Sequence, residues 1–551
     1  GSAILNVQGD LQIQSNNNAK ASIDLADGAS ILNLDGNFDI TGQFSWTTGK
    51  ESTINFIGTE PQTLPVINGL HFNNINVENT SSEGVTLAGK ITPSYTTGNL
   101  NIKEGIFNNG GYEIAGNAGK VLKVQDDAIL NLTGDIAMPS SFNYELSANS
   151  TVQLSGTTDL VAASYGNLTI ASATGKTSQI STISLTGDVT IAGDLNIEAD
   201  NIMEVNNYNI SITGDILMHG ELNNVGAILF EGSDDQTILM STGTNQIRDI
   251  AISKNEGSLT LASPVNITNS LNLAAGNIYT TSENILTLES GATILNASAE
   301  SYVVGPIAIT TNSVNEYIFP IGSQDDRYLP VFVKPANGSI NTYLVEFVND
   351  AYEDILSLQE GLDGVSDLEY VSILGTDGGN LDARITLSYD INSGIMDIAN
   401  LALANYNGVL WVDTSTDIDI VGDVNSGTIS ADIVGTYGPV AVAYQSADGG
   451  GGDPNSINDP NDANKEFKVY PNPSSKDNVV NISFSGFNPN DEILVIVYDV
   501  LGSLTYSKVI EINGTGSNLF ALDPSNKLSS GVYYITGTSN NKYYQQRLII
   551  K

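Results

Sequence analysis

The chain has 551 residues, with 20 Lys and Arg set against 62 Asp and Glu for a net charge of −42, and it contains no cysteine. Such a charge repels nucleic acid and anionic bilayers and makes cations the natural small partners. The missing cysteine excludes disulfide staples, thiol catalysis and Cys-based metal sites. No apolar run approaches the ~18 residues of a membrane-spanning helix, so the chain is read as not membrane-spanning. The length exceeds one hydrophobic core and suggests about three or four domains, and 54 Gly with abundant Asn, Thr and Ser point to all-β structure.

Residues 1–300 are repetitive. The nonapeptide Leu32-Asn-Leu-Asp-Gly-Asn-Phe-Asp-Ile40 returns as Leu130-Asn-Leu-Thr-Gly-Asp-Ile-Ala-Met138 and as Ile210-Ser-Ile-Thr-Gly-Asp-Ile-Leu-Met218. A second element follows each copy: Phe56-Ile-Gly58 with Gln62, Leu154-Ser-Gly156, and Phe230-Glu-Gly232 with Gln236. The copies are read as marking modules of several coils, each coil of roughly 20–25 residues. Short alternating strands with Gly-Asp or Gly-Asn at the corners, where φ > 0 is expected, predict a parallel β-solenoid, taken here as a right-handed β-helix. The repeat is already running at Leu5, so a continuation upstream or a separate N-terminal cap is expected.

Residues 301–447 carry longer strands, around 342–348, 383–389, 408–412 and 438–444, and read as a β-sandwich. The Gly/Asp/Asn/Pro stretch 448–465 is too poor in apolar residues to fold and reads as a flexible linker. Residues 466–551 show apolar runs at 479–484, 493–500, 505–512, 531–537 and 543–550 separated by turn residues, predicting a small antiparallel sandwich. This last stretch holds seven basic and seven acidic residues, so the whole net charge belongs to residues 1–465.

Four motifs mark that terminal module: Val469-Tyr470-Pro471-Asn472-Pro473, then Val497-Tyr498-Asp499-Val500-Leu501-Gly502, then Leu528-Ser529-Ser530-Gly531-Val532-Tyr533, then Arg547-Leu-Ile-Ile-Lys551. In order, at the chain end and behind a linker, they resemble the type A C-terminal sorting domain of the type IX secretion system of Bacteroidota. The resemblance implies passage across the outer membrane, recognition by the translocon with its shuttle and sortase components, and an extracellular or cell-surface location. The sandwich at 301–447 resembles the one that follows solenoids in many type IX surface proteins, through Phe319-Pro-Ile-Gly322 and Tyr328-Leu-Pro330. Since the chain begins Gly1-Ser2-Ala3 without Met or a signal peptide, export would require a signal already removed or a sequence that is a fragment.

Chemistry is sparse. The corner aspartates Asp10, Asp135, Asp188, Asp194 and Asp215 could form a Ca²⁺ column, the one cofactor entertained; the plainer reading is that each bonds backbone in its own turn. The linker acids Asp453, Asp459 and Asp462 are spaced like a loose cation loop but lack the central Gly and terminal Glu of an EF-hand. A β-helix polysaccharide lyase would need an Arg or Lys base in a groove, and Arg248 is the one Arg of residues 1–300; its plainer reading is a solvated pair with Asp249. His71 and His219 sit near no triad-like motif, and 62 acids neither supply nor exclude a glycosidase pair. Tyr112, Tyr165, Tyr208 and Tyr279 could form an exposed sugar-binding row, with half-buried strand aromatics as the plainer alternative; Trp46 and Trp411 are the two tryptophans. The expectation is an exported, non-catalytic surface protein engaged in adhesion, surface coating or gliding, with surface glycans or other cells as partners. The runner-up is a secreted polysaccharide-active lyase or hydrolase.

Overall fold

The computed structural model describes residues 3–15, 20–172, 180–241, 246–375, 382–414, 417–433, 438–445, 466–476, 478–485, 492–499, 504–511, 518–522, 528–539 and 542–551. The linker 448–465 lies outside them, with Asp453, Asp459 and Asp462. The chain divides into two compact units, one holding Gly1–Asn349 with Val371–Ser388, the other Asp350–Tyr370, Tyr389–Ile433 and Tyr437–Lys551.

The first unit is a parallel β-solenoid of about 13 turns. One ladder climbs from Ile4–Val7 through Ile31–Leu34, Thr53–Phe56 and Asn74–Asn79 to Leu100–Asn108. A second starts at Gln62–Leu64 and ends at Ile321–Gly322, every step parallel. The alternation seen in the sequence places one side chain in two inside. Leu130, Val152, Leu168, Leu195, Ile216, Ile238 and Leu261 form one continuous interior row, each at most 1% exposed. Burying each such side chain is worth roughly 1.5–3 kcal/mol.

Coil length varies from 16 residues, where Val152 pairs with Leu168, to 27, where Ile4 pairs with Ile31. This variation shifts the nonapeptide out of phase. Leu130, from the first half of one copy, stands in the same row as Ile216, from the second half of another. The copies therefore mark no large module; the nonapeptide is one strand–corner–strand solution used at different corners.

The corners show why the solution recurs. Gly9 and Gly134 have the positive φ expected of corner glycines, whereas Gly36 and Gly214 do not. Their constraint is close approach: a Cβ on Gly36 would stand 2.2 Å from the Gly9 carbonyl carbon, and one on Gly214 2.3 Å from Gly193 O. The second repeated element closes the same corner. Gln62 Nε2 donates to Leu34 O and Gly36 O, and Gln236 Nε2 to Ile212 O and Gly214 O, both glutamines being buried. Outside, Asn6, Asn33, Asn55, Asn76 and Asn101 form a ladder of amide hydrogen bonds at 2.6–2.8 Å. Lys103–Glu78 and Lys123–Glu145 pair between coils at 2.8 and 3.1 Å.

The first described rung, Ile4–Val7, is an ordinary strand with Ile4 65% and Leu5 43% exposed; residues 3–8 form no helix or irregular cap. At the other end, stacking does not stop at residue 300. Leu286–Leu288 pairs in parallel with Ile307–Thr311, and Val303–Val304 with Ile321–Gly322. A rung needs only two or three extended apolar residues, and buried Val303, Val304 and Ile321 supply them without the nonapeptide. Ile307–Thr311 then pairs antiparallel with Asn341–Val348, so one strand closes the solenoid and opens an antiparallel sheet. Tyr317–Phe319, Val331–Pro335 and Ala383–Tyr389 form a further antiparallel set.

In the second unit, Leu401–Tyr406 lies between Trp411–Asp413 and Pro439–Gln445, whose far edge takes Leu362–Val365. The small side chains of Ala402, Ala404, Ala441 and Ala443 leave room for Trp411, fully buried with its indole N–H on Asp354 O at 2.6 Å. The second unit also contains the terminal module.

Two outcomes are expected. Gly214→Ala forces a methyl group into Gly193 and should lower solenoid stability by about 1–3 kcal/mol, read from urea unfolding against an exposed-site control. Burial pushes the Tyr95 and Tyr165 phenols up and the Tyr343 phenol up to about 12. A raised phenol contributes stability that is complete below its unfolded value of ~10 and is lost as pH climbs through the folded value. The unfolding midpoint should therefore hold up to about pH 10 and fall above it, with tyrosinate absorbance appearing alongside loss of β signal.

Candidate functional site

The terminal module is two antiparallel sheets. Val480–Ser485 lies between Glu466–Tyr470 and Asn518–Leu522; the second sheet runs Leu504–Glu511, Glu492–Asp499, Gly531–Ser539, Lys542–Ile550. Strand 518–522 is one the apolar runs did not announce. Between the sheets lies a core of Phe467, Val469, Val480, Ile482, Ile493, Val495, Val497, Leu522, Leu528, Tyr533, Ile535, Leu548 and Ile550. Gly537 is required there, since a Cβ would stand 2.8 Å from the Phe467 ring.

The structure brings the separated motifs together. Val469 is buried and Tyr470 is 46% exposed. After Pro471, the Asn472 side chain turns onto the last strand: Nδ2 donates to Arg547 O, and Oδ1 accepts from Ile549 N at 2.9 Å. Past Pro473, Ser474 N donates to Ile549 O, and Lys551 N to Ser474 O, both at 2.8 Å. The first and fourth motifs thus close on each other. Asp499 pairs with Tyr533 and Tyr498 with Tyr534 across the sheet, which sets the second motif beside the third. Within the third, Leu528 is buried and the Tyr533 hydroxyl donates to Ser529 O at 3.0 Å. Gly531 begins its strand against the Tyr533 ring, which a Cβ would meet in ordinary contact at 3.8 Å. Gly502 lies outside the described residues. Arg547 pairs with Asp367 at 2.6 Å. Burial raises the neighbouring Tyr534 phenol, Asp367 adds to the rise, and Arg547 opposes it.

Residues 468–551 match the family model described as the secretion system C-terminal sorting domain. The chain carries the sorting domain of a type IX secretion cargo. No curated protein and no solved structure is significantly similar to it. The sorting domain implies interaction with the type IX machinery and export across the outer membrane. No helix among the described residues is long and apolar enough to cross a membrane.

The remaining candidates scatter. Each corner aspartate accepts a backbone N–H, but from the next coil rather than from its own turn: Asp10 from Asn37, Asp135 from Thr157, Asp188 from Asn209, Asp194 from Asp215 and Asp215 from Thr237, at 2.7–2.8 Å. Of the five, only Asp194 and Asp215 share a row, with Asn167 before them, whose Oδ1 accepts from Asp194 N. Among the described residues no three acidic or histidine side chains converge as a metal cluster. Arg248 projects at a bulge and pairs with Asp249 at 3.0 Å, its side chain 56% exposed. The tyrosines form no row, because Tyr165 is buried with its hydroxyl on Val161 O while Tyr112 and Tyr208 are exposed. Trp46 is interior, edge-on to Phe38 and Phe72. His71 supplies its carbonyl to the Trp46 indole, and His219 Nδ1 meets Ser241 Oγ at 3.0 Å, one coil on, which no local motif could announce.

Asn472→Ala should free the terminal strand, and hydrogen exchange at Ile549 should accelerate by about tenfold or more. Asn472→Asp, which keeps the acceptor but loses the donor, should fall between. Unchanged exchange in both would remove the clasp as the link between the motifs.

Proposed function

We propose that the protein is a non-catalytic surface component delivered by its sorting domain to the cell exterior, where the solenoid acts as a stiff acidic rod in adhesion, surface coating or gliding. The observation that carries this reading is one outward row, Thr63, Thr86, Asn108, Asn131, Gln153, Thr169 and Asn196, in unbroken register. At a rung spacing of ~4.8 Å it makes a flat polar strip suited to many weak contacts with a surface or glycan, whose strength grows with their number. Cross-coil amides, carboxylates and ion pairs support stiffness, and the net −42 keeps neighbouring copies apart. The translocon, shuttle and sortase components would be met through the sorting domain. Ca²⁺ remains a proposed ligand only for the Asp194–Asp215 step, where two carboxylates stand on adjacent coils.

Deleting residues 468–551 should leave the protein in the periplasm, and fractionation of cells and medium reads this directly; delivery unchanged by the deletion would defeat the reading. The alternative, a polysaccharide-active enzyme with Arg248 as its base, predicts turnover of an acidic polysaccharide that Arg248→Ala abolishes. The expected result with the purified full chain is no change in lyase absorbance.

A further inference from the structure

The outward face of the late coils departs from the flat polar strip. Where Gln236–Met240, Leu259–Leu261 and Ile278–Tyr279 stack, a cleft of about 560 Å³ opens, within the ~300–1,000 Å³ of small-molecule sites. Thr260 and Tyr279 stand on its rungs, Asp235 and Asn277 at the corner before them, and Glu300 and Asp326 come from the following turns. Gly257 and Gly276 keep the floor bare. Both have positive φ, and a Cβ on Gly276 would stand 3.1 Å from the Lys254 Cβ beneath.

Three features define what fits. Three carboxylates line the cleft and no Lys or Arg does. Lys254 beneath it is 97% buried, its ammonium held on Gln236 Oε1 at 2.6 Å and within reach of the Asp235 charge. An anionic ligand is therefore repelled. The carboxylates are also spread out, since no three acids among the described residues converge on a metal position; a bare divalent ion is a poor match. Finally, the half-buried Tyr279 ring lies beside the Thr260 hydroxyl and the Asn277 amide, pairing an apolar face with donors and acceptors. A pyranose has this pattern in reverse, with an apolar face and a rim of hydroxyls.

We propose that this cleft binds an amino-bearing saccharide, a hexosamine unit of a glycan, with its ring on Tyr279 and its ammonium drawn by Asp235, Glu300 and Asp326. The proposal rests on the surface-protein reading and names the site through which such a protein would hold a glycan.

Calorimetry on the full chain at low salt tests it with three probes: the glucosamine tetramer, its N-acetylated counterpart and a galacturonate tetramer. The glucosamine tetramer should bind, the N-acetylated one about tenfold or more weakly, and the galacturonate not measurably. Glu300→Gln with Asp326→Asn should weaken glucosamine binding about tenfold or more without moving the unfolding midpoint. Asn tolerates the left-handed backbone that Asp326 adopts at φ 57. Tyr279→Phe should retain binding and Tyr279→Ala lose it. No binding of the glucosamine tetramer, equal binding of galacturonate, or indifference to the paired substitution would each overturn the site. Failure here leaves delivery to the exterior intact, because fractionation of the tail deletion involves no ligand. Conversely, a tail deletion without effect leaves the calorimetry standing.

Discussion

Parallel backbone pairing between successive coils is the constraint to which the rest of the solenoid answers. Each coil must present its N–H and C=O groups to the next at a rise of ~4.8 Å, and everything at a corner has to fit within that rise. Glycine therefore lies over glycine at Gly9–Gly36 and Gly193–Gly214, where any side chain would collide with the backbone of the coil before. The corner aspartates satisfy the same rule from the other direction, each reaching one coil along to take an amide that the rung leaves free. Gln62 and Gln236 close the carbonyls of the corner behind them, so the two repeated sequence elements are halves of one device separated by a coil.

Because these devices act between coils, the length of the connection from one to the next is free. Coils of 16 and of 27 residues stack in one ladder, where Val152, Leu168 and Leu195 follow one another. That freedom allows the outer surface to change character while the interior row of Leu, Ile and Val stays the same. Early coils present amide and hydroxyl rows, whereas late coils, with Gly257 and Gly276 at the corner, give way to a recess.

The same freedom decides what could be read from the sequence. Alternation every second residue and glycine at corners are local, so an all-β parallel solenoid was legible, as was the terminal module from its four motifs. Which face a strand occupies is a running total of coil lengths, and no local pattern contains it. Leu130 and Ile216, which hold different places in the nonapeptide, fall in one row for that reason. Stacking beyond residue 300 was hidden because Val303–Val304 is too short to show a period. The sugar-facing tyrosine row failed similarly, since exposure follows the face and Tyr165 fell on an interior one. Pairs such as His219 and Ser241, or a cleft assembled from residues 235 to 326, exist only once the register is fixed.

The clasp at Asn472 gives the export signal a property that linear motifs lack. Its surface is assembled from residues 472 to 474 and 547 to 551, which lie at opposite ends of the module and meet only when the last strand has docked. A receptor that touched both ends at once would read the assembled fold rather than either stretch of sequence, because neither half of that surface exists until the other is in place.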